Sequence, residues 1–321
     1  MDGTKSDVHV AEPNPEERIL FTDSSPLLRD QDFDGLRARA EEEGYLFFKQ
    51  LLPVEEVMKV RADMLAVVER YGWRQPNQDA HGGRIDLDAL NLVPDDEMRL
   101  DIGVSRAAYH DTQKLESFHA LPHHPALLAL YRGLFKQEPF VHPRHIARMI
   151  TSHRAIHPTP LHQDFPLVQG STNTWTCWFP LGDCPRSLGG LTVLRNSHRE
   201  GYIPIQPASG AGGIAVQLCP GVETWVEGDY DAGDVLTFPC FTVHKALRSL
   251  QRDQIRLSID ARYQAGDEPI EAKSLQPHCT LTWDQVYADW ENDNLKYYWR
   301  QSTPKLSPWD STLLQPARRI C

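Results

Sequence analysis

From about Phe140 onward the chain is cut into short β-prone runs set apart by turn residues: HIARMI (145–150), TNTWTCWFPL (172–181), GLTVLR (190–195), ETWVEG (223–228), DVLTFP (234–239) and IRLSIDARY (255–263). Regular short strands with turns between them pack as a sandwich or jelly roll. Upstream the pattern is helical. A helix-like stretch covers Asp34–Glu43 and leads into GYLFFKQLL (44–52), a run of strand length. Pro53 then stands where a helix takes its first residue, with Glu55 and Glu56 in the positive first turn, and Val57, Val60, Met64 and Val68 follow at helical spacing up to Gly72. A second proline-started helix is expected from Pro125, with Leu127, Leu130 and Leu134 on one side.

Three further segments complete the reading. Residues 1–18, polar and proline-bearing, are expected to form a mobile tail. The stretch 73–97 is rich in Gly, Pro, Asn and Asp, an irregular length of chain of the sort that covers a site. After residue 280, Trp283, Tyr287, Trp290, Tyr297, Tyr298 and Trp299 suit a helix packed on the sheet. The expected fold is α+β: a double-stranded β-helix (jelly roll) core over about 140–264, with flanking helices packed on one sheet, inside one domain of residues 19–321.

Charge and cysteine content narrow the function. Lys and Arg number 33 against 44 Asp and Glu, a net charge of −11, and the basic residues are scattered, which disfavours a phosphate backbone as partner. No run approaches the 18 apolar residues of a membrane span, and the N-terminus lacks the apolar core of a signal peptide. No C-x-x-C pair occurs among the six cysteines (177, 184, 219, 240, 279 and 321), so they read as free, mostly buried thiols. A small-molecule enzyme of the cytoplasm, with no nucleic-acid or membrane partner, is the expectation.

The chemistry lies in the β-rich half. PLHQDF sets His162 and Asp164 two apart, so that on a strand both side chains leave one face. Imidazole and carboxylate are two of the three ligands of a 2-His-1-carboxylate iron site, and His244, ending a strand-like run after the Gly233-Asp234 turn, is the candidate for the third. Taken alone, the triplet reads as a surface histidine beside a capping aspartate. Twelve residues past His244, Arg256 and Ser258 share a strand face. A guanidinium beside a hydroxyl can grip the distal carboxylate of a metal-chelated 2-oxoacid, although an isolated arginine is more often ion-paired or at the surface. His142, His145, His153, His157 and the pair His123-His124 match no zinc spacing and read as surface or satisfied core residues.

With these residues in order, the sequence resembles the phytanoyl-CoA dioxygenase-like family of Fe(II)/2-oxoglutarate dioxygenases. The resemblance is carried by GYLFFKQLLPVEEV (44–57), PLHQDF (160–165), WFPLGDCPRSLGGLTVLRNSH (178–198), AGDVLTFPCFTVH (232–244) and RLSIDARYQ (256–264), and leaves both ends of the chain uncovered. It implies that His162, Asp164 and His244 ligate iron. It also implies that Arg256, assisted by Ser258, binds 2-oxoglutarate, and that Trp178 and Thr176 line the cosubstrate pocket. Halogenases of this kind replace the carboxylate ligand with Gly or Ala; Asp164 is retained, which favours hydroxylation, desaturation or epoxidation.

The implied reaction consumes O2 and 2-oxoglutarate, releases succinate and CO2, and oxidises a small organic molecule of specialised metabolism, with ascorbate as the reductant in vitro. Residues 73–97, with Arg74, His81 and Arg84, and part of the C-terminal tail are expected to form a lid that sets specificity. Two rivals stay open at this point: a cupin-type jelly-roll metalloenzyme that does not use 2-oxoglutarate, and a non-enzymatic β-sandwich binding module.

Overall fold

The computed structural model describes residues 18–221 and 223–319. The expected N-terminal tail, Arg18 apart, lies outside the described residues, as does Cys321. In chain order the elements that build the site are β1 (Ile19–Leu20), α1 (Phe33–Glu43), β2 (Leu46–Phe48), α2 (Val54–Arg70), α3 (Pro125–Phe135), β3 (Pro139–Val141), β4 (Ile146–Ile150), α4 (Phe165–Val168), β5 (Trp175–Pro180), β6 (Leu191–Leu194), β7 (Ile205–Pro207), β8 (Ile214–Val216), β9 (Trp225–Glu227), β10 (Val235–Pro239), β11 (His244–Ala246) and β12 (Arg256–Ala265). Each β-prone run read from the sequence contains one of these strands.

Two sheets face each other. The larger runs β2-β10-β5-β12-β3, with β4 pairing the first half of β12 on the same side as β3; the smaller runs β1-β9-β6-β11. Every pairing in them is antiparallel except β1 with β9. Non-sequential neighbours joined by crossings between two sheets make the jelly roll. Gly233, with φ 94°, turns the chain into β10; a Cβ there would run into the carbonyl of Leu52, so glycine is required.

Strand β12 explains the layering. All ten residues are buried, yet its two faces differ in chemistry. Leu257, Ile259, Ala261 and Tyr263 join the main apolar cluster with Val60, Met64 and Leu65 of α2 and Leu127, Leu130 and Tyr131 of α3. Arg256, Ser258, Asp260, Arg262 and Gln264 alternate with them and must face the interior of the roll. The helices therefore cover the outer face of the larger sheet. Each fully buried aliphatic side chain in that layer contributes about 1.5–3 kcal/mol. A second cluster, with Trp178, Val193, Val226, Tyr230, Leu236 and Phe238, fills one end of the space between the sheets.

Three expectations need correction. Pro53 is the residue before the first turn of α2, not in it; Glu55 and Glu56 do occupy that turn. The aromatic tail does form a core, in which Trp283, Tyr287, Trp290 and Trp299 pack with Phe140 and Ile270, but it is not one helix. It breaks into short turns because Asn292 bonds the backbone N–H of Asn294 and restarts the chain as a 3-10 turn over Asp293–Leu295. Cys177, Cys184, Cys240 and Cys279 are free, whereas Cys219 is disulfide-bonded. Irregular spacing could not reveal that bond, since proximity of thiols is set by the tertiary fold.

Candidate metal and cosubstrate site

His162 and His244 face each other as a two-residue antiparallel bridge. The N–H of each donates to the carbonyl of the other, at 2.9 and 3.0 Å, and the ring centroids stand 4.2 Å apart. This bridge extends the edge where β11 begins. His162 therefore lies in an isolated bridge and Asp164 just before α4, not on the regular strand that the sequence suggested. The shared face is nonetheless real. Gln163 points the other way, its amide nitrogen donating to the carbonyls of Gly201 and Phe241 (2.7 Å each) and its oxygen accepting from the N–H of Ile203 (2.8 Å). Asp164 holds the N-cap position of α4, but its side chain makes no capping bond.

Its carboxylate turns inward instead. Oδ1 lies 3.5 Å from Nε2 of His162 and 4.0 Å from Nε2 of His244. Among the described residues, these three form the one group of His, Cys, Asp or Glu whose ligand atoms fall within 4.8 Å of one another. The histidine tautomers follow from the backbone. Nδ1 of His162 contacts the carbonyl of Pro160 (2.8 Å), and Nδ1 of His244 that of Thr242 (3.0 Å). A carbonyl only accepts, so Nδ1 carries the proton and the Nε2 lone pair is left facing the centre.

Oδ2 of Asp164 is held by two donors, the Thr176 hydroxyl and Nη2 of Arg262 at 3.1 Å. Burial by itself would raise the Asp164 carboxyl; the Arg262 guanidinium holds it well below the usual carboxylate range. The imidazole of His244 is pushed down to about 3, chiefly by burial. A neutral imidazole and an ionised carboxylate are the protonation states a divalent metal needs.

Arg256 is 2% exposed, and its Nε and Nη1 have no partner among the described residues. Its guanidinium carbon stands 5.7 Å from the Trp178 ring centroid, and a small cavity lined by Arg256, Trp178, Thr176, His162, Asp164 and His244 joins it to the trio. A buried guanidinium with orphaned donors is costly, and a carboxylate arriving from the side of the trio would satisfy it. Ser258 sits on the same strand face with a buried Oγ that also has no partner among the described residues, but it is not in the wall of that cavity. Thr176 has a role the sequence did not suggest, donating to the candidate metal carboxylate.

A larger cavity of about 300 Å³ opens beside His162 and Asp164. No residue of 73–97 lines it, contrary to expectation. That segment braces the strand leading to Arg256: Ile85 donates to the carbonyl of Asp253 and Ile255 to that of Gly83. Arg74 is spent on its own loop, on the carbonyls of Gly82 and Asp79, while His81 and Arg84 are exposed. The wall comes instead from the β3–β4 turn, α4, the β7–β8 turn and residues 273–278. Arg262, Arg148 and Asp260 also escaped the sequence reading, although the alternation that paired Arg256 with Ser258 continues through Asp260 and Arg262. Of the other histidines, His142 is satisfied by Gln264 (2.7 Å), whereas buried His145 and His153 each leave one ring nitrogen without a partner among the described residues.

Known proteins share the family and the fold. The family model described as phytanoyl-CoA dioxygenase (PhyH) matches residues 40–253. The chain is similar to the 1-deoxypentalenic acid 11-beta-hydroxylases of Streptomyces arenae and Streptomyces exfoliatus, 26% and 25% identical, with 80% of this chain and 89% of each relative covered. Among solved structures it is similar in fold to the epimerase SnoN in complex with Fe3+, alpha ketoglutarate and nogalamycin RO (TM-score 0.53, 20% identity, 75% of this chain and 86% of that chain). It is likewise similar to EvdO2 of Micromonospora carbonacea var. aurantiaca complexed with 2-oxoglutarate (TM-score 0.51, 15% identity, 74% of this chain and 91% of that chain). The chain belongs to the phytanoyl-CoA dioxygenase family and is a non-haem iron, 2-oxoglutarate-dependent oxygenase.

Proposed function

We propose that in this oxygenase His162, Asp164 and His244 hold Fe(II) on one face, Arg256 receives the distal carboxylate of 2-oxoglutarate, and a small organic molecule is hydroxylated in the adjoining cavity. The observation that carries this reading is the convergence of two Nε2 lone pairs and Asp164 Oδ1 beside a buried guanidinium whose Nε and Nη1 have no partner among the described residues. Bound there, ferrous iron supplies the oxidising chemistry in which a substrate C–H bond, O2 and 2-oxoglutarate yield an alcohol, succinate and CO2.

The chain's own residues supply order. The carbonyls of Pro160 and Thr242 fix the two imidazoles, and Thr176 and Arg262 occupy Oδ2 of Asp164 so that Oδ1 alone faces the metal position. Arg256, backed by Trp178, sets the reach of the cosubstrate, and Ser258 is the nearby hydroxyl that assists it. Ile146, Leu167, Val168 and Ala211 give the larger cavity apolar walls that keep water from the reacting centre. Hydroxylation is preferred over desaturation or epoxidation because the curated relatives are named as hydroxylases.

Residues 19–321 are read as one domain, since a single apolar cluster spans Leu36 to Tyr263. Among the described residues no helix is long and apolar enough to cross a membrane. A cytoplasmic location belongs to the proposal and is checked by fractionation. The test of the reaction is succinate release from 2-oxoglutarate with Fe(II) and ascorbate. Asp164→Ala and His244→Ala are expected to abolish it; undiminished turnover in either would falsify the ligand assignment.

A further inference from the structure

The cavity beside the metal trio inverts the charge of the chain. In a protein of net charge −11, its wall carries Arg144, Arg148, Arg262 and Lys273 against Asp101 and Asp164. Most of these charges are already matched. Arg262 lies on Asp164 at 3.1 Å, Arg148 on Asp260 at 2.9 Å, and Asp101 is taken by Arg99 at 2.7 Å. Arg144 and Lys273 are left, with no carboxylate within ion-pair distance among the described residues. Nη1 of Arg144 donates to the carbonyls of Gln276 (3.2 Å) and Pro277 (2.6 Å), which aim the guanidinium without neutralising it. The Lys273 ammonium stands 5.1 Å from the ring centroid of Trp309.

The same corner holds His278, whose Nδ1 is 2.8 Å from the Tyr109 hydroxyl. Burial first, and then Arg144, Arg99, Arg148 and Arg262, press this imidazole well below its ordinary range, a sign of the positive potential there. Ile146, Leu167, Val168 and Ala211 give the wall an apolar side, beside the polar His142, Thr159 and Ser274. A guanidinium with fixed donors and an ammonium on the same cavity wall match a planar or tetrahedral oxyanion, and the apolar side matches a hydrocarbon body.

We propose that the substrate is an anion, an apolar body with one carboxylate or phosphate-type head, and that Arg144 and Lys273 receive that head. The proposal rests on the oxygenase reading, which makes this cavity the substrate's. The two cavities share His162, Asp164, Arg148, Thr159 and Arg262, but Arg256 lines only the smaller and Arg144 and Lys273 only the larger: one anion site for 2-oxoglutarate, one for the molecule to be oxidised.

The test uses the full chain loaded with Fe(II) and 2-oxoglutarate, held anaerobic, and titrated calorimetrically with three compounds that share one cage: 1-adamantanecarboxylic acid, 1-adamantylphosphonic acid and 1-adamantanecarboxamide. At neutral pH at least one anion is expected to bind about tenfold or more tighter than the amide, and the tighter anion identifies the head group. Lys273→Gln and Arg144→Gln are each expected to shrink that preference, and Arg144→Lys to retain part of it. Because Arg144 also holds the backbone at 276–277, Lys273→Gln is the variant that separates charge from folding. Equal affinity for all three compounds, no binding of either anion, or a preference unchanged in both glutamine variants would overturn the proposal. The visible band of the 2-oxoglutarate chelate, read in the same samples, reports on the metal reading separately.

Discussion

Arg262 Nη2 lies 3.1 Å from Oδ2 of Asp164, the oxygen turned away from His162 and His244. Both side chains are buried, and the Thr176 hydroxyl donates to the same oxygen. The pair does two things at once: it keeps the carboxylate ionised and leaves one oxygen, not two, for a metal. Arg262→Gln is therefore expected to weaken metal binding by about 10–100-fold, the usual cost of losing a group that orients a ligand. Titration with Fe(II) or Co(II) measures it, and an unchanged affinity would remove Arg262 from the site.

Arg256 has orphaned buried donors, so its loss should fall on 2-oxoglutarate and not on the metal. Losing one partner of a buried charged pair costs about 3–5 kcal/mol, so Arg256→Gln is expected to raise the 2-oxoglutarate Kd by at least about a hundredfold. Arg256→Lys keeps the charge but loses the planar fork and should fall between the two. Direct 2-oxoglutarate titration, with metal affinity as control, checks this.

Buried histidines make stability depend on pH. Burial lowers His119 from 6.5 to about 3, and His123 and His142 to about 4. The unfolded chain takes up these protons below about pH 6.5, which the folded chain refuses until near pH 4 at His123 and His142 and near pH 3 at His119. Their contribution is thus full above pH 6.5 and is lost as pH falls toward 4, at up to about 1.4 kcal/mol per pH unit for each group. Urea unfolding across that window should show the slope, and His119→Phe should reduce it by one group's share. A flat profile would contradict the burial of these rings.

The 73–97 segment supports the strand before Arg256 and stays out of the cavity wall. Arg84→Ala, at an exposed position, is expected to leave substrate KM within about twofold, as surface changes usually do. A large change in KM would restore this segment as a specificity loop.

Much of this was readable in the chain. The two-residue step from His162 to Asp164 survived even without a strand, because Gln163 is bound on the opposite side and fixes the alternation. The pattern of β12 held both its layers: odd positions apolar toward the helices, even positions polar toward the site. What the sequence could not show came from distant segments. Arg144 meets residues 276–277 only through the fold, so the cationic corner has no local signature. Residues 73–97 have the composition of a lid, yet composition says nothing about which face a loop packs on. Nor did spacing betray the disulfide at Cys219.

The central claim is that His162, Asp164 and His244 hold the metal on which 2-oxoglutarate is seated. Anaerobic absorption spectroscopy tests it most directly, since a 2-oxoglutarate chelate of Fe(II) gives a visible charge-transfer band. The wild-type chain is expected to show the band on addition of Fe(II) and 2-oxoglutarate, and His162→Ala, Asp164→Ala and His244→Ala each to lose it or shift it. A band of full intensity and unchanged position in all three variants would contradict the account.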